Sequence, residues 1–405
     1  MRYLITILLT ISALFAETKH LIAPDGTTVI IDRDEYGVPH IKADNETAMF
    51  FGQGFAEAND RLYQIDLNRR AATGRLSEWF GSLALDVDKE LLRTGYSDAE
   101  IDAMIANTLP EVQNAIQIYA DGINAYVDTM NLHPELYMPE QYLDRDFDPF
   151  TLRDGSAFAV FMLRRFGMFG GEELSRLNEL QNNGWDWFNE NRPVNDPACS
   201  TTIPDTGQAA AQAWHYSGMT VPEEVVLEME ARNEYVMQFW KDNGIIYKLG
   251  SFAALVDPGF STSGNVMLLG CPQMGSPSYN EASVTMEIEL ECPTYHIGGK
   301  TIPGVPFVTL GHNEHIAWTW TSGVSDNVDT YIDSTQSNNF NDGYWHNGEW
   351  LDFEVIVDTI KMIAGEEIFT HYRTIHGPVV SSYLITHQVY SHKMTFWMDD
   401  FQMTD

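Results

Sequence analysis

Residues 248–255 read KLGSFAAL, a stretch in which a glycine precedes a serine and an apolar, strand-like run follows. By itself this pattern is weak, because Gly-Ser pairs are common and most of them mark turns. Its weight comes from the short motifs that follow it in order: GCPQMG at 270–275, PGVP at 303–306, GHN at 311–313, AWTWTS at 317–322 and DNVD at 326–329. Together they draw attention to Ser251.

This order of motifs resembles the start of the catalytic chain in the penicillin acylase (penicillin amidase) family of N-terminal nucleophile hydrolases, nearest to the penicillin G acylase pattern. The resemblance runs from about Thr27 to Val379. In that family the precursor cuts itself just before a serine, which becomes the nucleophile at a new chain terminus. The resemblance therefore implies cleavage between Gly250 and Ser251, with Ser251 as the nucleophile.

A terminal serine can carry its own base. A serine hydroxyl is a poor nucleophile unless a base lies beside it. An α-amine titrates at about 8, roughly two units below a lysine, so part of it is neutral near pH 7. Ser251 would act through both groups, and the uncut precursor would lack the base.

The resemblance also implies roles for neighbouring groups. Gln273 would help to hold the terminal amine, and the backbone N–H of Ser322 would stabilise the oxyanion. The second oxyanion donor is expected beyond residue 405, so we expect this chain to be a fragment of a longer gene product.

A structural calcium ion is the cofactor that the resemblance implies. Its oxygen ligands would come from the side chains of Glu173, Asp326 and Asp329 and from the carbonyl of Val328. Taken without the family, the DNVD motif is an acidic turn and Glu173 is a solvated helix residue.

Composition excludes several other functions. The 405 residues are 44% hydrophobic, which is ample for a packed core. The formal net charge of −35 repels nucleic-acid phosphate and anionic membranes, so neither is an expected partner. The sequence contains no zinc-protease, nucleophile-elbow or phosphate-loop motif.

The first sixteen residues resemble a secretory signal, with one arginine ahead of a short apolar run. We therefore expect a periplasmic or secreted protein that has no membrane contact after signal removal. The three cysteines, Cys199, Cys271 and Cys292, leave open either one disulfide or three free thiols.

Four segments are expected: a signal peptide at 1–16, a helix-rich alpha-chain-like segment at 17–195, a spacer peptide at 196–250, and the start of the catalytic beta-chain at 251–405. Helical sequence precedes β-rich sequence, which favours an α+β fold. The resemblance specifies the αββα sandwich of N-terminal nucleophile hydrolases, incomplete at its C-terminus, and a heterodimer of the two cleaved chains.

Local patterns predict individual elements. Ser97 and Glu100 form a capping box, Pro110 starts the next helix, and Val284 to Leu290 alternates as a strand. Arg69 and Arg70 are interpreted as structural ion-pair partners of Asp60 and Asp66. Phe166 and Met168 either line the acyl pocket, as the resemblance implies, or belong to the core.

Three functions follow. The first is a self-processing amidohydrolase that takes a small-molecule N-acyl amide, either a penicillin-like side chain or an acyl-homoserine lactone. The second is a non-catalytic secreted relative that binds calcium or another ligand, motivated by Phe252, where the family usually has asparagine. The third is a serine hydrolase that uses His312 as a separate base.

Overall fold

The computed structural model describes residues 18–167, 170–192, 220–243, 245, 250–273, 284–321 and 326–394. Helices dominate its first part and strands its second, which confirms the α+β class. The helices are α1 (Glu46–Ala72), α2 (Ser77–Phe80), α3 (Leu85–Thr94), α4 (Asp98–Asn107), α5 (Pro110–Leu132), α6 (Pro134–Tyr137), α7 (Leu152–Gly167), α8 (Glu173–Asn191) and α9 (Glu223–Asp242). The strands are β1 (Lys19–Ile22), β2 (Thr28–Arg33), β3 (Pro39–Ala43), β4 (Gly250–Val256), β5 (Met267–Gln273), β6 (Met286–Cys292), β7 (Tyr295–Thr301), β8 (Val308–His312), β9 (Ala317–Trp318), β10 (Val328–Ser334), β11 (Tyr344–His346), β12 (Glu349–Leu351), β13 (Glu354–Lys361), β14 (Glu366–Thr374), β15 (Gly377–Tyr383) and β16 (Gln388–Met394).

Within the described ranges the strands form two larger sheets and two separate hairpins. The first sheet has the order β1-β2-β3-β6-β7-β8-β9, and the second has the order β10-β16-β15-β14-β13. β3 and β6 pair in parallel, so the first sheet joins sequence from before Ser251 to sequence from after it. β4 pairs only with β5, and β11 only with β12. The αββα sandwich therefore stays a prediction beyond the α+β class.

Helix α1 is the centre of the main core. It lies between the first sheet and α5. Glycines allow the backbone of α1 to come close to both of them. A Cβ added at Gly54 would lie 2.0 Å from the Tyr119 carbonyl oxygen, and one at Gly122 would lie 2.1 Å from the Phe51 carbonyl oxygen. The two backbones can therefore approach only with glycine at both positions.

Neither α1 nor any other helix in the described part of the chain is long and apolar enough to cross a membrane.

Several local predictions are confirmed. Ser97 and Glu100 make both hydrogen bonds of the capping box at the start of α4. Pro110 is the first residue of α5. Met286, Ile288 and Leu290 are buried on one face of β6.

Arg69 and Arg70 pair with Asp66, as predicted, but not with Asp60. Both guanidinium groups donate to the buried Asp66, over 2.6 Å from Arg69 Nε and 3.1 Å from Arg70 Nε. Asp60 instead pairs with Arg33 at 2.9 Å, because it faces the neighbouring strand β2. The pair of arginines therefore stabilises the interior, as buried charges must be compensated.

Glu57 is fully buried between α1 and α5. The Tyr119 hydroxyl donates to Glu57 Oε2 over 2.5 Å, and Gln53 Nε2 donates to Glu57 Oε1 over 2.8 Å. Tyr119 in turn accepts from the backbone N–H of Gly304 over 2.8 Å. Burial raises the pKa of Glu57 to about 8, against the hydrogen bonds that lower it. Glu57 and Tyr119 thus link α1 and α5 to the loop before β8.

The predicted spacer, 196–250, contains α9, which packs tightly on the rest of the protein. Val225, Val226 and Met229 share a core with side chains of α8, β15 and β16. Arg232 Nε lies 2.9 Å from Glu90 on α3, and its Nη2 donates to the Val380 carbonyl over 2.6 Å. The spacer boundaries themselves stay a prediction.

Candidate active site

Ser251 is the second residue of β4, which forms a hairpin with β5. Ser251 is opposite Pro272, and Gly250 is opposite Gln273. The hairpin contains a one-turn 3₁₀-helix at 258–260 whose first turn is capped by the Asp257 side chain. The apolar run that followed the Gly-Ser pair in the sequence therefore forms the strand that positions the serine.

The Ser251 hydroxyl contacts the peptide bond that cleavage would break. Its Oγ donates to the carbonyl oxygen of Gly250 over 2.6 Å. Ser251 is half-buried. The hydroxyl therefore lies within hydrogen-bond distance of the carbonyl group that Oγ would attack in the predicted self-cleavage.

Gln273 lies directly across the hairpin from the same bond. A Cβ added at Gly250 would be 2.8 Å from Gln273 Oε1, so the side-chain amide covers the position where glycine leaves space. Gly250, Ser251 and Gln273 are thus brought together by the register of β4 and β5. The role of Gln273 in holding a terminal amine stays a prediction.

The segment after β9 passes along the same hairpin. Thr321 Oγ1 donates to the Ser251 carbonyl oxygen over 3.4 Å. Thr319 lies against β5, where a Cβ at Gly270 would be 2.2 Å from Thr319 Oγ1. Both threonines belong to the AWTWTS motif, but neither is among the predicted site residues. Ser322, the predicted oxyanion donor, lies outside the described residues.

Several apolar side chains of the β4–β5 hairpin are exposed. Phe252 is 48% exposed, Leu255 71% and Leu269 57%. Phe252 and Leu269 project from the face of the hairpin opposite to the Ser251 side chain, and Leu255 lies four residues along the strand from it. Phe166 packs against the main core from α7, which agrees with its interpretation as a core residue, and Met168 lies outside the described residues.

The predicted calcium ligands lie at the junction of α8 and β10. A Cβ added at Gly170 would be 2.0 Å from Asp326 Oδ1 and 2.6 Å from the Val328 carbonyl oxygen. Glu173 Oε2 accepts from the Thr330 hydroxyl over 2.7 Å. Asp326, Val328 and Glu173 therefore border one small region.

Asp329 does not join them. Side chains alternate along a strand, and Thr330 faces Glu173, so Asp329 projects from the opposite face of β10 and is exposed. In the part of the chain that the structure describes, no group of three His, Cys, Asp or Glu side chains is arranged to hold a metal ion. The donor set fits calcium in part: two carboxylates and one carbonyl, without Asp329.

His312, the alternative base, is exposed near the end of β8, and its ring lies near Gly298. No hydrogen bond joins it to Ser251 in the described structure, so a separate histidine base has no geometric support. Cys271 and Cys292 are free thiols, and Cys199 lies outside the described residues.

Comparison with known proteins identifies the family of the chain. Residues 28–404 match the family model described as penicillin amidase. The chain therefore belongs to the penicillin amidase family.

Two curated relatives and one solved structure illustrate the range of similar proteins. Penicillin G acylase of Escherichia coli is 29% identical over 402 residues, which cover 89% of this chain and 46% of that protein. Acyl-homoserine lactone acylase QuiP of Pseudomonas fluorescens is 26% identical over 366 residues, covering 88% and 41%. A thermostable penicillin G acylase from Alcaligenes faecalis, in tetragonal form, matches 44% of this chain and 97% of its own at 31% identity and a TM-score of 0.39. The chain thus spans less than half the length of these curated relatives.

Proposed function

We propose that the whole protein is a self-processing amidohydrolase that cleaves a linear amide and releases an acyl group and an amine. The observation that carries the proposal is the contact between the Ser251 hydroxyl and the Gly250 carbonyl, 2.6 Å apart, with Gln273 across the strand pair. Membership of the penicillin amidase family supports the same reaction class.

Self-processing is proposed to start with attack of Ser251 Oγ on the Gly250 carbonyl carbon. A C–O ester bond forms, the C–N peptide bond breaks, and the proton of the hydroxyl passes to the departing nitrogen. Water then hydrolyses the ester, which leaves a Gly250 carboxylate and a Ser251 that has both a free hydroxyl and a free α-amine. These steps create the base that the mature enzyme needs.

The mature enzyme would then use the neutral α-amine, through one water molecule, to accept the hydroxyl proton as Oγ attacks the substrate carbonyl. The acyl group is transferred to Ser251, the amine product leaves, and water releases the acid. The backbone N–H of Ser322 is proposed as one oxyanion donor. Losing such a donor typically costs about a hundred- to a thousandfold in rate.

The substrate is proposed to be a penicillin-like side-chain amide, with an acyl-homoserine lactone as the second candidate. Both are small N-acyl amides, and relatives named for each are similar to this chain. We also propose export to the periplasm or medium, a calcium ion at Glu173, Asp326 and the Val328 carbonyl, and a heterodimer of the two cleaved chains.

The experiment compares Ser251→Ala with Ser263→Ala in the full-length gene product. Ser263 is a matched control because it is an exposed serine in the same hairpin. We expect wild type and Ser263→Ala to yield two chains and amide hydrolysis, and Ser251→Ala to yield one uncut, inactive chain. Amide hydrolysis that persists in Ser251→Ala would refute the proposal. An uncut wild type that binds ligand without turnover would support the non-catalytic alternative.

A further inference from the structure

A cavity lies between the helices and the β13–β14 hairpin, and its lining residues are far in sequence from the Ser251 hairpin. Its volume is about 600 Å³, and no residue of β4, β5 or 319–321 lines it. Small-molecule sites commonly have volumes of about 300–1,000 Å³. The cavity is therefore large enough for a ligand and does not depend on the proposed amidase chemistry.

The cavity has an apolar part and a charged part. Apolar lining comes from α3, α4 and α7 and includes Leu91, Ile101 and Val160. The charged part contains Arg164 of α7 and Arg373 of β14. It also contains four carboxylates that already pair with an arginine or a histidine: Glu78, Asp98, Asp154 and Asp358. Such a division suits a molecule with an apolar body and a charged end.

Two guanidinium groups converge on Gly95. Arg373 Nη2 donates to the Gly95 carbonyl over 3.0 Å, and a Cβ added at Gly95 would be 3.7 Å from Arg164 Nη1. Arg373 also pairs with Glu100. His371, whose side chain is 3% exposed, lines the same cavity and bonds to Asp358 through Nε2, but its Nδ1 is buried without a hydrogen-bond partner.

Arg164 lacks a carboxylate partner among the described residues. Its guanidinium lies 5.8 Å from the centre of the Tyr96 ring, and its Nε is buried without a hydrogen bond. Burial lowers the pKa of Arg164 to about 10, and the charge of Arg373 adds to that effect. The charge of Glu90 acts in the opposite direction, but Glu90 already pairs with other arginines.

Although the sequence has 58 acidic and 23 basic residues, no carboxylate pairs with the Arg164 guanidinium in the described part of the chain. Arg165 on the same helix also lacks a carboxylate, but its guanidinium lies 3.6 Å from the centre of the Trp240 ring. A buried charge is costly unless it is paired and hydrogen-bonded. An external anion would supply the missing partner.

We propose that this cavity binds a small organic carboxylate. Its carboxylate pairs with Arg164 and lies near Arg373, and its apolar body packs on Leu91, Ile101 and Val160. Octanoate has this chemistry. 1-Octanol has the same body without the charge, and inorganic phosphate has the charge without the body.

The test measures binding of the three probes to the full-length protein by calorimetry. Octanoate is expected to bind wild type with one site per chain and to raise its melting temperature, at least about tenfold more tightly than 1-octanol or phosphate, because a charge-assisted pair adds to apolar burial. Equal binding of octanoate and 1-octanol, tighter binding of phosphate, or no octanoate binding would each overturn the proposal. This comparison needs no variant.

Arg164→Met adds a second test. Methionine keeps an unbranched side chain and removes the unpaired charge, so the variant is expected to be at least as stable as wild type without ligand. It should also lose octanoate affinity by about tenfold or more. Arg153→Gln is the control, because Arg153 lines the cavity but is half-exposed and already paired with Asp102. Unchanged octanoate binding in Arg164→Met would contradict the proposal.

Discussion

Glu57→Gln should change how the stability of the protein depends on pH. The wild-type carboxyl is fully buried, with its pKa raised to about 8 from an ordinary value of 4.5. In the unfolded chain it ionises from pH 4.5 upward, whereas in the folded protein it holds its proton until about pH 8. Ionisation of Glu57 therefore stabilises the unfolded state at a lower pH than it stabilises the folded state. The free energy of unfolding falls as the pH rises through this window.

The magnitude follows from the shift in pKa. One pKa unit corresponds to about 1.4 kcal/mol, so the full window amounts to roughly 5 kcal/mol, of which about 4 kcal/mol falls between about pH 5 and about pH 9. Glutamine does not titrate and has nearly the same shape. Its Oε1 can accept from the Tyr119 hydroxyl. Its Nε2 can donate to Gln53 Oε1 once the Gln53 side-chain amide turns over, because Gln53 Nε2 faces residue 57 in wild type.

The assay is urea unfolding of wild type, Glu57→Gln and the exposed control Glu111→Gln at a series of pH values. Relative to wild type, Glu57→Gln should gain up to about 4 kcal/mol between about pH 5 and about pH 9. Glu111→Gln should follow wild type throughout. A constant difference between wild type and Glu57→Gln across this range would refute the account of a neutral buried carboxyl.

Two further perturbations test the packing and the calcium proposal. Gly54→Ala should destabilise the protein by about 2 kcal/mol or more, because its Cβ would lie 2.0 Å from the Tyr119 carbonyl oxygen. The control Gly298→Ala should cost little, because the nearest atom to its Cβ would be 3.5 Å away. Thermal denaturation of both variants measures the difference in stability. Calcium should raise the melting temperature of wild type and of Asp329→Asn but not of Asp326→Asn. The reason is that Asp326 Oδ1 and the Val328 carbonyl oxygen both lie against Gly170, whereas the Asp329 side chain projects from the opposite face of β10. An equal response of both variants would contradict the partial ligand set.

Elements set by local chemistry could be predicted from the sequence. Residues close together in the sequence determine three such elements: the capping box of Ser97, the start of α5 at Pro110 and the alternation of β6. Helix α1 gave no comparable signal, because it is buried on several sides and carries no single apolar stripe. β1 is only four residues long, which is too short for an alternating pattern to indicate a strand.

Some residues of the candidate site could be predicted from the sequence, and others could not. Ser251 and Gln273 could be singled out from motifs, and the hairpin register then brings Gln273 opposite Gly250. The contact of Thr321 with the Ser251 carbonyl depends on chain packing far from the motif. A glutamate in a helix is ordinarily solvated, so nothing in the sequence indicated that Glu57 is buried and neutral.

The central claim is that the chain cuts itself at Gly250–Ser251. The most direct measurement is intact mass with amino-terminal sequencing of every chain in the purified full-length gene product. The account predicts a chain that begins Ser-Phe-Ala-Ala-Leu and its absence from Ser251→Ala. A single uncut wild-type chain, or cleavage that persists at this bond in Ser251→Ala, would contradict it.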